Sequence, residues 1–320
     1  MKVSVTGAGG FIGHHLVSRL KMEGHWVKGI DLKPPEYESS RADRFEVRDL
    51  RTRDGCCEAC AGADWVFHLA ANMGGIGFIE SHRAEIIRDN TRIDMEMLEA
   101  ARYMKVGRFL YTSSACVYPM WRQAQEFIEP LKEEDAYPAQ PEDGYGWEKL
   151  YAERLCRHYR EEMGVETRVV RFHNIYGPLG TYDGGREKSP AAICRKVALC
   201  RDGGEIEVWG DGKQTRSYCY IDDCVEGLLR IMRSDVLEPI NLGRDDMVSV
   251  DGLVGIVAGI AKKQVRKKYD LTKPVGVRGR NADMSLMKLK LGWTPQIPLE
   301  IGLGFTYRWI ESELRKAGRL

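Results

Sequence analysis

Three features are scarce or absent in this sequence, and each absence excludes a class of protein. No apolar run approaches the roughly 18 residues of a membrane-spanning helix, so we expect no membrane partner. Charge of one sign is not in excess, because 48 basic and 47 acidic residues leave a net charge of +1. Such a balance gives no electrostatic footprint for nucleic acid, and it favours a small-molecule partner.

The cysteines do not form the even, closely spaced set of a disulfide-rich protein. Nine of them are scattered over 320 residues, as expected of reduced thiols in the cytoplasm. Lys2–Thr6 runs directly into a glycine loop, which leaves no room for a signal peptide. Cys56, Cys57 and Cys60 cluster, but no second ligand pair follows at the spacing of a zinc site. We therefore expect a cytoplasmic protein without a metal.

The composition and the order of the predicted elements are typical of an α/β enzyme. Hydrophobic residues make up 43% of the chain and charged residues 30%. Strands and helices alternate up to Phe172, which predicts a Rossmann-type doubly wound parallel sheet. After Phe172 the chain is rich in turns, and the strand-like segment Pro239–Gly243 is predicted to return to the sheet.

A chain of this length exceeds the size at which one core stays compact, so we predict two domains. The first is a dinucleotide-binding domain formed by residues 1–172 plus about 218–243. The second is a smaller, discontinuous α/β substrate domain formed by residues 173–217 plus about 244–320.

A glycine-rich turn follows the first predicted strand. Gly7, Gly10 and Gly13 lie between the strand and a segment with apolar residues at helical spacing. Such a turn aims backbone N–H groups and a helix N-terminus at a pyrophosphate. The spacing Gly-x-x-Gly-x-x-Gly differs from the ordinary fingerprint, and a purely structural glycine turn is the alternative.

Acidic residues at two strand ends indicate which dinucleotide binds. The predicted strand Trp26–Ile30 ends at Asp31, where a carboxylate can hydrogen-bond the adenosine ribose hydroxyls. A carboxylate there repels a 2′-phosphate, so NAD is favoured over NADP, although Lys33 lies close by. Asp49 follows the next strand, and it either faces the adenine amino group or caps the helix that begins near Arg51.

The next predicted strand, Trp65–Leu69, leads into small residues and a flexible loop. Ala70 and Ala71 let the backbone pass close to a cofactor. His68 lies inside the strand, and we interpret it as a core residue rather than a catalyst. The glycine-dense loop Asn72–Phe78 is interpreted as a substrate contact, with a plain strand-to-helix connector as the alternative.

The candidate catalytic residues are concentrated around Tyr111–Pro119, a stretch that ends a predicted buried strand. Downstream, Tyr145-x-x-x-Lys149 puts a phenol and an amine on one helix face. The pKa of Tyr145, about 10 when free, has to fall by about 3 units for it to act as a base near pH 7, which is roughly 4 kcal/mol. The Lys149 ammonium and a positive nicotinamide ring favour that fall. Ser114 is expected to share the hydrogen bond to the reacting hydroxyl.

Several motifs distributed over nearly the whole chain occur together. They are the glycine loop, Ser114, Tyr145 with Lys149, Arg171–Pro178 and Lys290–Trp293. Together they resemble the extended short-chain dehydrogenase/reductase family of nucleotide-sugar enzymes. Met73–Phe78, Ser113–Pro119 and Gly184–Pro190 are more specific, and they resemble the GDP-mannose 3,5-epimerase subfamily.

The resemblance implies a set of ligand-binding residues. The residues expected to hold NAD are Gly7, Gly10, Phe11, Ile12, Gly13, Asp31, Asp49, Leu50, Ala70, Tyr145 and Lys149. Those expected to hold the nucleotide sugar GDP-mannose are Met73, Gly74, Gly75, Asn174, Lys188, Lys196, Gln214, Arg278 and Arg280. Arginine and lysine suit a diphosphate, although each of the two arginines could instead form a salt bridge at the rim. A homodimer that joins through Ser81–Met104 and Tyr145–Met163 is also implied.

The resemblance also implies a reaction. Tyr145 takes the proton of the hexose 4-hydroxyl while hydride passes to NAD, and the resulting ketone acidifies the C–H bonds at carbons 3 and 5. Cys116 is then the base and Lys188 the acid on the opposite ring face. A thiol with a pKa near 8.5 needs only a small downward shift, whereas lysine is already a proton donor. The alternatives are Cys116 as a small buried hydrophobe and Lys188 as a solvated loop charge.

The expected product is GDP-L-galactose, with GDP-L-gulose from inversion at carbon 5 alone. In related 4,6-dehydratases the strand end carries Thr-Asp-Glu, whereas Ser114-Ala115-Cys116 stands here, which disfavours dehydration. A simple 4-epimerase is the nearest rival and needs neither Cys116 nor Lys188. A non-catalytic NAD-binding regulatory protein is the rival from another class, but it has no need of Tyr145 and Lys149.

Overall fold

The computed structural model describes all 320 residues. Fourteen strands form, in chain order: β1 Lys2–Thr6, β2 Trp26–Asp31, β3 Arg44–Val47, β4 Trp65–His68, β5 Arg108–Ser114, β6 Thr167–Phe172, β7 Ile175–Tyr176, β8 Gly204–Trp209, β9 Thr215–Arg216, β10 Cys219–Tyr220, β11 Ile240–Leu242, β12 Val248–Ser249, β13 Val265–Asp270 and β14 Gly279–Arg280. Ten α-helices form: α1 Phe11–Met22, α2 Arg53–Cys60, α3 Ile76–Ser81, α4 Arg83–Tyr103, α5 Asp143–Met163, α6 Ser189–Leu199, α7 Ile221–Arg233, α8 Val250–Ala261, α9 Ser285–Leu291 and α10 Leu299–Lys316.

A seven-stranded sheet organises the molecule, in the order β11-β6-β5-β4-β1-β2-β3. All its neighbouring strands are parallel, and β11 joins β6 late in the chain, as the sequence predicts. The strand order reverses between β1 and β4, and ligands of open α/β sheets bind in the crevice at such a reversal. The predicted Rossmann-type doubly wound sheet is confirmed.

Burial on both faces explains why these strands are continuous apolar runs rather than alternating ones. Helices α1 and α7 lie together over one face, and α2, α4 and α5 cover the other. One hydrophobic core contains 41 buried residues and continues from the first face of the sheet into α6, α8 and α10. A separate core lies under α2, α4 and α5.

The C-terminal part contains short strands, the short helix α9 and three helices that pack together, α6, α8 and α10. Strands β8 and β13 pair in parallel, and β9 lies between β12 and β14. No helix is long and apolar enough to cross a membrane, and no group of three or more potential ligand side chains is arranged for a metal ion.

Two local expectations need correction. The loop predicted to reach Phe78 ends earlier, because α3 begins at Ile76 and the N–H groups of Phe78 and Ile79 donate to the Gly75 carbonyl over 3.0 and 3.1 Å. Helix α2 begins two residues later than predicted, and its cap is the Thr52 hydroxyl, which accepts from the Gly55 N–H.

Asp49 therefore does not cap a helix. Its carboxylate instead accepts from the Arg51 N–H over 2.9 Å and pairs with the Arg51 side chain. The adenine-facing alternative for Asp49 stays a prediction.

Candidate active site

The glycine turn between β1 and α1 is built for close backbone approach. A Cβ on Gly13 would lie 2.1 Å from the Gly7 carbonyl oxygen, and Gly7 itself has a φ of +71°. Gly10 differs, since a Cβ there would meet only one atom, the Gly7 oxygen, at 3.2 Å. Packing thus requires glycine at positions 7 and 13, while at position 10 the missing side chain leaves space at the start of α1. That space fits a dinucleotide pyrophosphate at the helix N-terminus.

The end of β2 fits the ribose of such a dinucleotide. The two Asp31 carboxylate oxygens accept from the Gly9 and Leu32 N–H groups over 2.9 and 2.6 Å, which fixes the carboxylate beside the glycine turn. The exposed Lys33 ammonium lies 3.6 Å from Glu36. The Asp31 carboxylate favours ribose hydroxyls over a 2′-phosphate.

Tyr145 and Lys149 lie on the buried side of α5, with 6% and 2% of their surfaces exposed. The Lys149 ammonium lies 5.8 Å from the centre of the Tyr145 ring and donates to the Tyr111 hydroxyl over 3.0 Å. Two carboxylates flank it, Glu148 at 3.6 Å and Asp94 at 3.9 Å. The predicted pair is therefore embedded in a buried polar network that the sequence did not reveal.

The network continues across the sheet through buried hydrogen bonds. Tyr111 donates to Asp94 over 2.9 Å, and the other Asp94 oxygen lies 3.0 Å from Nε2 of His68. The Nδ1 atom of His68 lies 2.8 Å from the Thr6 hydroxyl. Both ring nitrogens of His68 thus have partners, as expected of a core residue, and the network ends on the strand that carries the glycine turn.

Burial and charge act in opposite directions on these groups. Burial raises the pKa of Tyr145 and outweighs the Lys149 charge and a hydrogen bond with Ser114, which lower it. The net shift is therefore upward in the protein alone, opposite to the fall expected from the sequence for a base near pH 7. Burial lowers the pKa of Lys149, but the Asp94 and Glu148 carboxylates outweigh it, so the net shift is upward. Lys149 is therefore a permanent cation at neutral pH, placed to stabilise a Tyr145 phenolate.

Cys116 lies in a short 3-10 turn, Ala115–Val117, directly after β5. Its N–H donates to the Ser114 hydroxyl over 3.2 Å, and its carbonyl accepts from the Glu142 N–H over 2.9 Å. A Cβ on Gly146 would lie 2.3 Å from that carbonyl oxygen. The start of α5 thus fits tightly against the turn, which brings Ser114, Cys116 and Tyr145 together.

Lys188 directly precedes α6. Its surface is exposed although many protein atoms surround it, a combination expected of a side chain that lines a concave surface. Burial lowers the pKa of Lys188 and outweighs the opposite effect of the neighbouring Cys116 and Cys224 side chains, so the net shift is downward. The structure therefore brings Lys188 within electrostatic range of Cys116.

The pKa of Cys116 is shifted opposite to the small downward shift that a thiolate base would need. Burial and the Glu142 charge raise it, and Arg280 opposes them. The pKa of Cys116 is thus raised and that of Lys188 lowered, which makes the thiol a weaker acid and the ammonium a stronger one than in the free side chains.

The loop predicted to contact substrate meets the Lys188 loop. The Gly75 N–H donates to the Arg186 carbonyl over 3.1 Å, and the Arg186 guanidinium lies 3.9 Å from the centre of the Phe78 ring. A Cβ on Gly74 would clash with the Phe78 ring at 2.9 Å. Met73–Gly75 therefore borders the cleft that Lys188 enters.

The remaining predicted substrate residues separate into distinct places. Lys196 and Gln214 meet at Trp209, since the Lys196 ammonium lies 5.9 Å from its ring centre and the Gln214 amide donates to its carbonyl over 2.9 Å. The Gln214 side-chain oxygen is buried without a hydrogen-bond partner, which suits a ligand donor. Asn174, with a φ of +46°, donates to the Ser217 carbonyl over 2.9 Å.

Arg278 and Arg280 contact different groups. Arg278 forms salt bridges with Asp211 and Glu126. A rim salt bridge is the alternative to substrate binding that the sequence analysis names for this residue. Arg280 is buried, and its NH1 nitrogen lies 3.5 Å from the Cys116 sulfur.

Two charged neighbours of Arg280 were missed in the sequence. Glu142 pairs with it at 2.7 Å, and burial followed by the Arg280 charge lowers the pKa of Arg216 to about 10. Arg216 stands two residues after the predicted Gln214, and Glu142 three before Tyr145, so their proximity to known motifs was the available signal.

A family model for the NAD dependent epimerase/dehydratase family matches residues 3–243, and this is the class that the sheet, the glycine turn and the Tyr145/Lys149 pair define. The chain belongs to that family. It is 50% identical over 318 residues to GDP-mannose 3,5-epimerase 1 of Oryza sativa subsp. japonica, covering 99% of this chain and 83% of the relative. It is 49% identical to GDP-mannose 3,5-epimerase of Arabidopsis thaliana, covering 99% and 84%.

Solved structures share the architecture. UDP-glucose 4-epimerase from Thermotoga maritima, solved with UDP-glucose, superposes with a TM-score of 0.88 at 26% identity, covering 98% of this chain and all of that one. MoeE5 in complex with UDP-glucose and NAD gives 0.82 at 28% identity, again covering 98% and 100%. The cofactor of this chain is NAD, which the glycine turn and Asp31 fit.

Proposed function

We propose that this protein is an isomerase that inverts carbons 3 and 5 of GDP-mannose, giving GDP-L-galactose with GDP-L-gulose as a side product. The observation that carries the proposal is the position of Cys116 and Lys188 in one cleft beside Ser114 and Tyr145. The GDP-mannose 3,5-epimerases of rice and Arabidopsis, each about half identical to this chain, support the substrate.

The first chemical task falls to α5 and the end of β5. NAD, when bound, supplies the hydride acceptor for oxidation at carbon 4. Tyr145 accepts the 4-hydroxyl proton, because Lys149 is held cationic by Asp94 and Glu148 and stabilises the phenolate. Ser114 shares the hydrogen bond to the same hydroxyl.

The second task falls to the groups across the cleft. A ketone at carbon 4 makes the protons on carbons 3 and 5 acidic, and Cys116, as its thiolate, removes one from one ring face. Lys188 then donates a proton from the opposite face, which inverts the centre. Return of the hydride to carbon 4 and of the Tyr145 proton to its oxygen restores the hydroxyl, so no net oxidation occurs.

The nucleotide is assigned to the C-terminal part. Lys196 and Arg278 supply positive charge for a diphosphate, and Gln214 lies with Lys196 near Trp209. Arg280 is kept as a substrate contact beside Cys116. We keep Met73, Gly74, Gly75 and Asn174 as sugar contacts, and Phe11, Ile12, Leu50 and Ala70 as NAD contacts. The division into residues 1–172 with 218–243 and residues 173–217 with 244–320 stays part of the proposal.

We also propose a cytoplasmic homodimer that joins through α4 and α5. These adjacent helices expose large apolar side chains, among them Ile87, Met95, Trp147 and Tyr151. Such side chains are typical of an interface core. The nine cysteines, none of which forms a disulfide, support a reducing compartment.

Product analysis tests the proposal. The purified protein is incubated with GDP-mannose without added oxidant, and the nucleotide sugars are separated and identified by NMR. GDP-L-galactose is expected as the main product with GDP-L-gulose beside it. Sole formation of the carbon-4 epimer, or turnover of UDP-sugars only, would favour the rival 4-epimerase, and no turnover of any nucleotide sugar would favour a regulatory NAD-binding protein.

A further inference from the structure

A carboxylate lies beside Cys116 and shares a cation with it. Glu142 directly precedes α5, and its Oε2 accepts from the NH2 nitrogen of Arg280 over 2.7 Å. The NH1 nitrogen of the same guanidinium donates to the Cys116 sulfur over 3.5 Å. Arg280 therefore connects the Glu142 carboxylate with the Cys116 thiol, and its single positive charge interacts with both groups.

The Arg280 guanidinium is also held in position by a contact other than Glu142. The Nε nitrogen of Arg280 donates to the Gln123 side-chain oxygen over 2.6 Å. Gln123 is fully buried and donates in turn to the carbonyls of Tyr118 and Pro119 over 3.0 and 3.2 Å. Because the guanidinium is planar and rigid, this anchor holds NH1 toward Cys116 even if Glu142 is replaced.

Cys116 is faced by charged or titratable groups from four elements. They are Glu142 and Tyr145 at the start of α5, Arg280 in β14, Arg216 in β9 and Lys188 before α6. Glu142 is the carboxylate of this set. Its charge opposes a thiolate directly, and it also offsets the charge of Arg280 that would favour one.

We propose that Glu142 is a positioning residue that sets the ionisation of Cys116, keeping the sulfur protonated in the enzyme without substrate by neutralising Arg280. The catalytic meaning of this inference rests on the proposed role of Cys116 as the carbon base. A protonated resting thiol also resists alkylation and oxidation, because the thiolate is the reactive form.

Alkylation of Cys116 measures this directly. The NAD-bound protein without nucleotide sugar is treated with iodoacetamide at a series of pH values, and the Cys116 peptide is followed by mass spectrometry. In Glu142→Gln the midpoint of the rate profile should move to lower pH, and the rate at pH 7 should rise about tenfold, as for a change of about one pKa unit. In Arg280→Gln the midpoint should move to higher pH.

Glu126→Gln is the matched control. Glu126 pairs with Arg278 as Glu142 pairs with Arg280, but Arg278 does not hydrogen-bond Cys116, so its profile should match that of the wild type. Glu142→Asp keeps the charge and should restore most of the wild-type midpoint. Retained NAD and an unchanged melting temperature verify folding of each variant.

An unchanged or higher midpoint in Glu142→Gln would overturn the proposal. A faster alkylation rate at the high-pH plateau without a shifted midpoint would also overturn it, since it indicates only that the reagent reaches Cys116 more easily. If the Gln variant does not fold, the Arg280→Gln profile decides, and a midpoint equal to or below that of the wild type overturns the proposal. The measurement needs no substrate, so its failure is separate from failure to convert GDP-mannose.

Discussion

Replacing Asp94 by Asn tests how the protein keeps Lys149 charged in its interior. Asp94 is 2% exposed, accepts from Tyr111 and lies 3.9 Å from the Lys149 ammonium. Asn keeps the shape and one hydrogen-bond acceptor but removes the charge. Lys149 then has only Glu148, at 3.6 Å, as a carboxylate partner, and burial raises the pKa of Glu148 to about 8 in the wild type.

The expected loss can be worked from this geometry. Removing one partner of a buried ion pair costs about 3 kcal/mol at the low end, and Glu148 keeps the loss near that end. Unfolding entropy of about 2.1 cal/mol/K per residue gives about 0.7 kcal/mol/K for 320 residues. The melting temperature of Asp94→Asn should therefore fall by about 4 °C.

The pH dependence has a definite sign. The pKa of Lys149 is raised in the folded protein, chiefly because Asp94 outweighs burial, so its stabilisation is present below the unfolded pKa and is lost only as pH rises through the folded one. Without Asp94, burial pulls the folded pKa of Lys149 below the unfolded one, so the unfolded state binds more protons between the two values. The stability deficit of the variant should therefore shrink between about pH 8 and pH 10, as Lys149 loses its proton in the folded state.

On the acid side the two proteins should converge. The pKa of Asp94 is lowered in the folded state, against burial, by Lys149 and His68. Its contribution is therefore present above the unfolded pKa and is lost as pH falls through the folded one. The difference in melting temperature should shrink below about pH 4.

Differential scanning calorimetry with saturating NAD measures these shifts. Asp223→Asn is the control, because Asp223 is buried but accepts only from the Gln296 and Ile297 N–H groups. Parallel curves for Asp94→Asn and the wild type from pH 7 to pH 10 would refute the proposed role of Asp94 in holding the Lys149 charge.

Three further predictions follow from the site and its surroundings. Tyr145→Phe should lower kcat by about 10³-fold while NAD stays bound, and near-normal turnover would contradict the role of the phenol. Gly13→Ala should lose NAD, because its Cβ would lie 2.1 Å from the Gly7 oxygen. Gly255→Ala is the control, since it has open space around it and should bind NAD normally. Equal NAD content in the two variants would contradict the steric argument. Trp147→Glu should yield monomers in analytical ultracentrifugation if α5 lies in the proposed interface, and an intact dimer would exclude that position.

The fold was predictable because its signals are local. The apolar runs of β1, β2, β4 and β5 and the glycine turn lie within short segments, and parallel strands with helical connections permit few topologies. The return of β11 to the sheet was readable because Pro239–Gly243 is an isolated apolar run after a long helix.

The site was only partly predictable, since its decisive contacts join distant residues. Glu142 and Arg280 are 138 residues apart, and Arg280 and Cys116 are 164 apart, so no spacing rule connects them. The upward shift of the Cys116 pKa depends on burial and on Glu142, neither of which a motif encodes. The role of Asp94 was not predictable for the same reason, because no sequence pattern distinguishes it from the other polar residues of α4.

Deuterium incorporation tests the central claim most directly. GDP-mannose is incubated with the NAD-bound protein in deuterated water, and the label in the recovered sugars is located by NMR. We expect deuterium at carbons 3 and 5 of inverted sugars, and its loss in Cys116→Ala and Lys188→Ala, while both variants retain NAD. Inverted sugar without deuterium, or unchanged labelling in both variants, would contradict the assignment of Cys116 and Lys188 as the groups that move the carbon-bound protons.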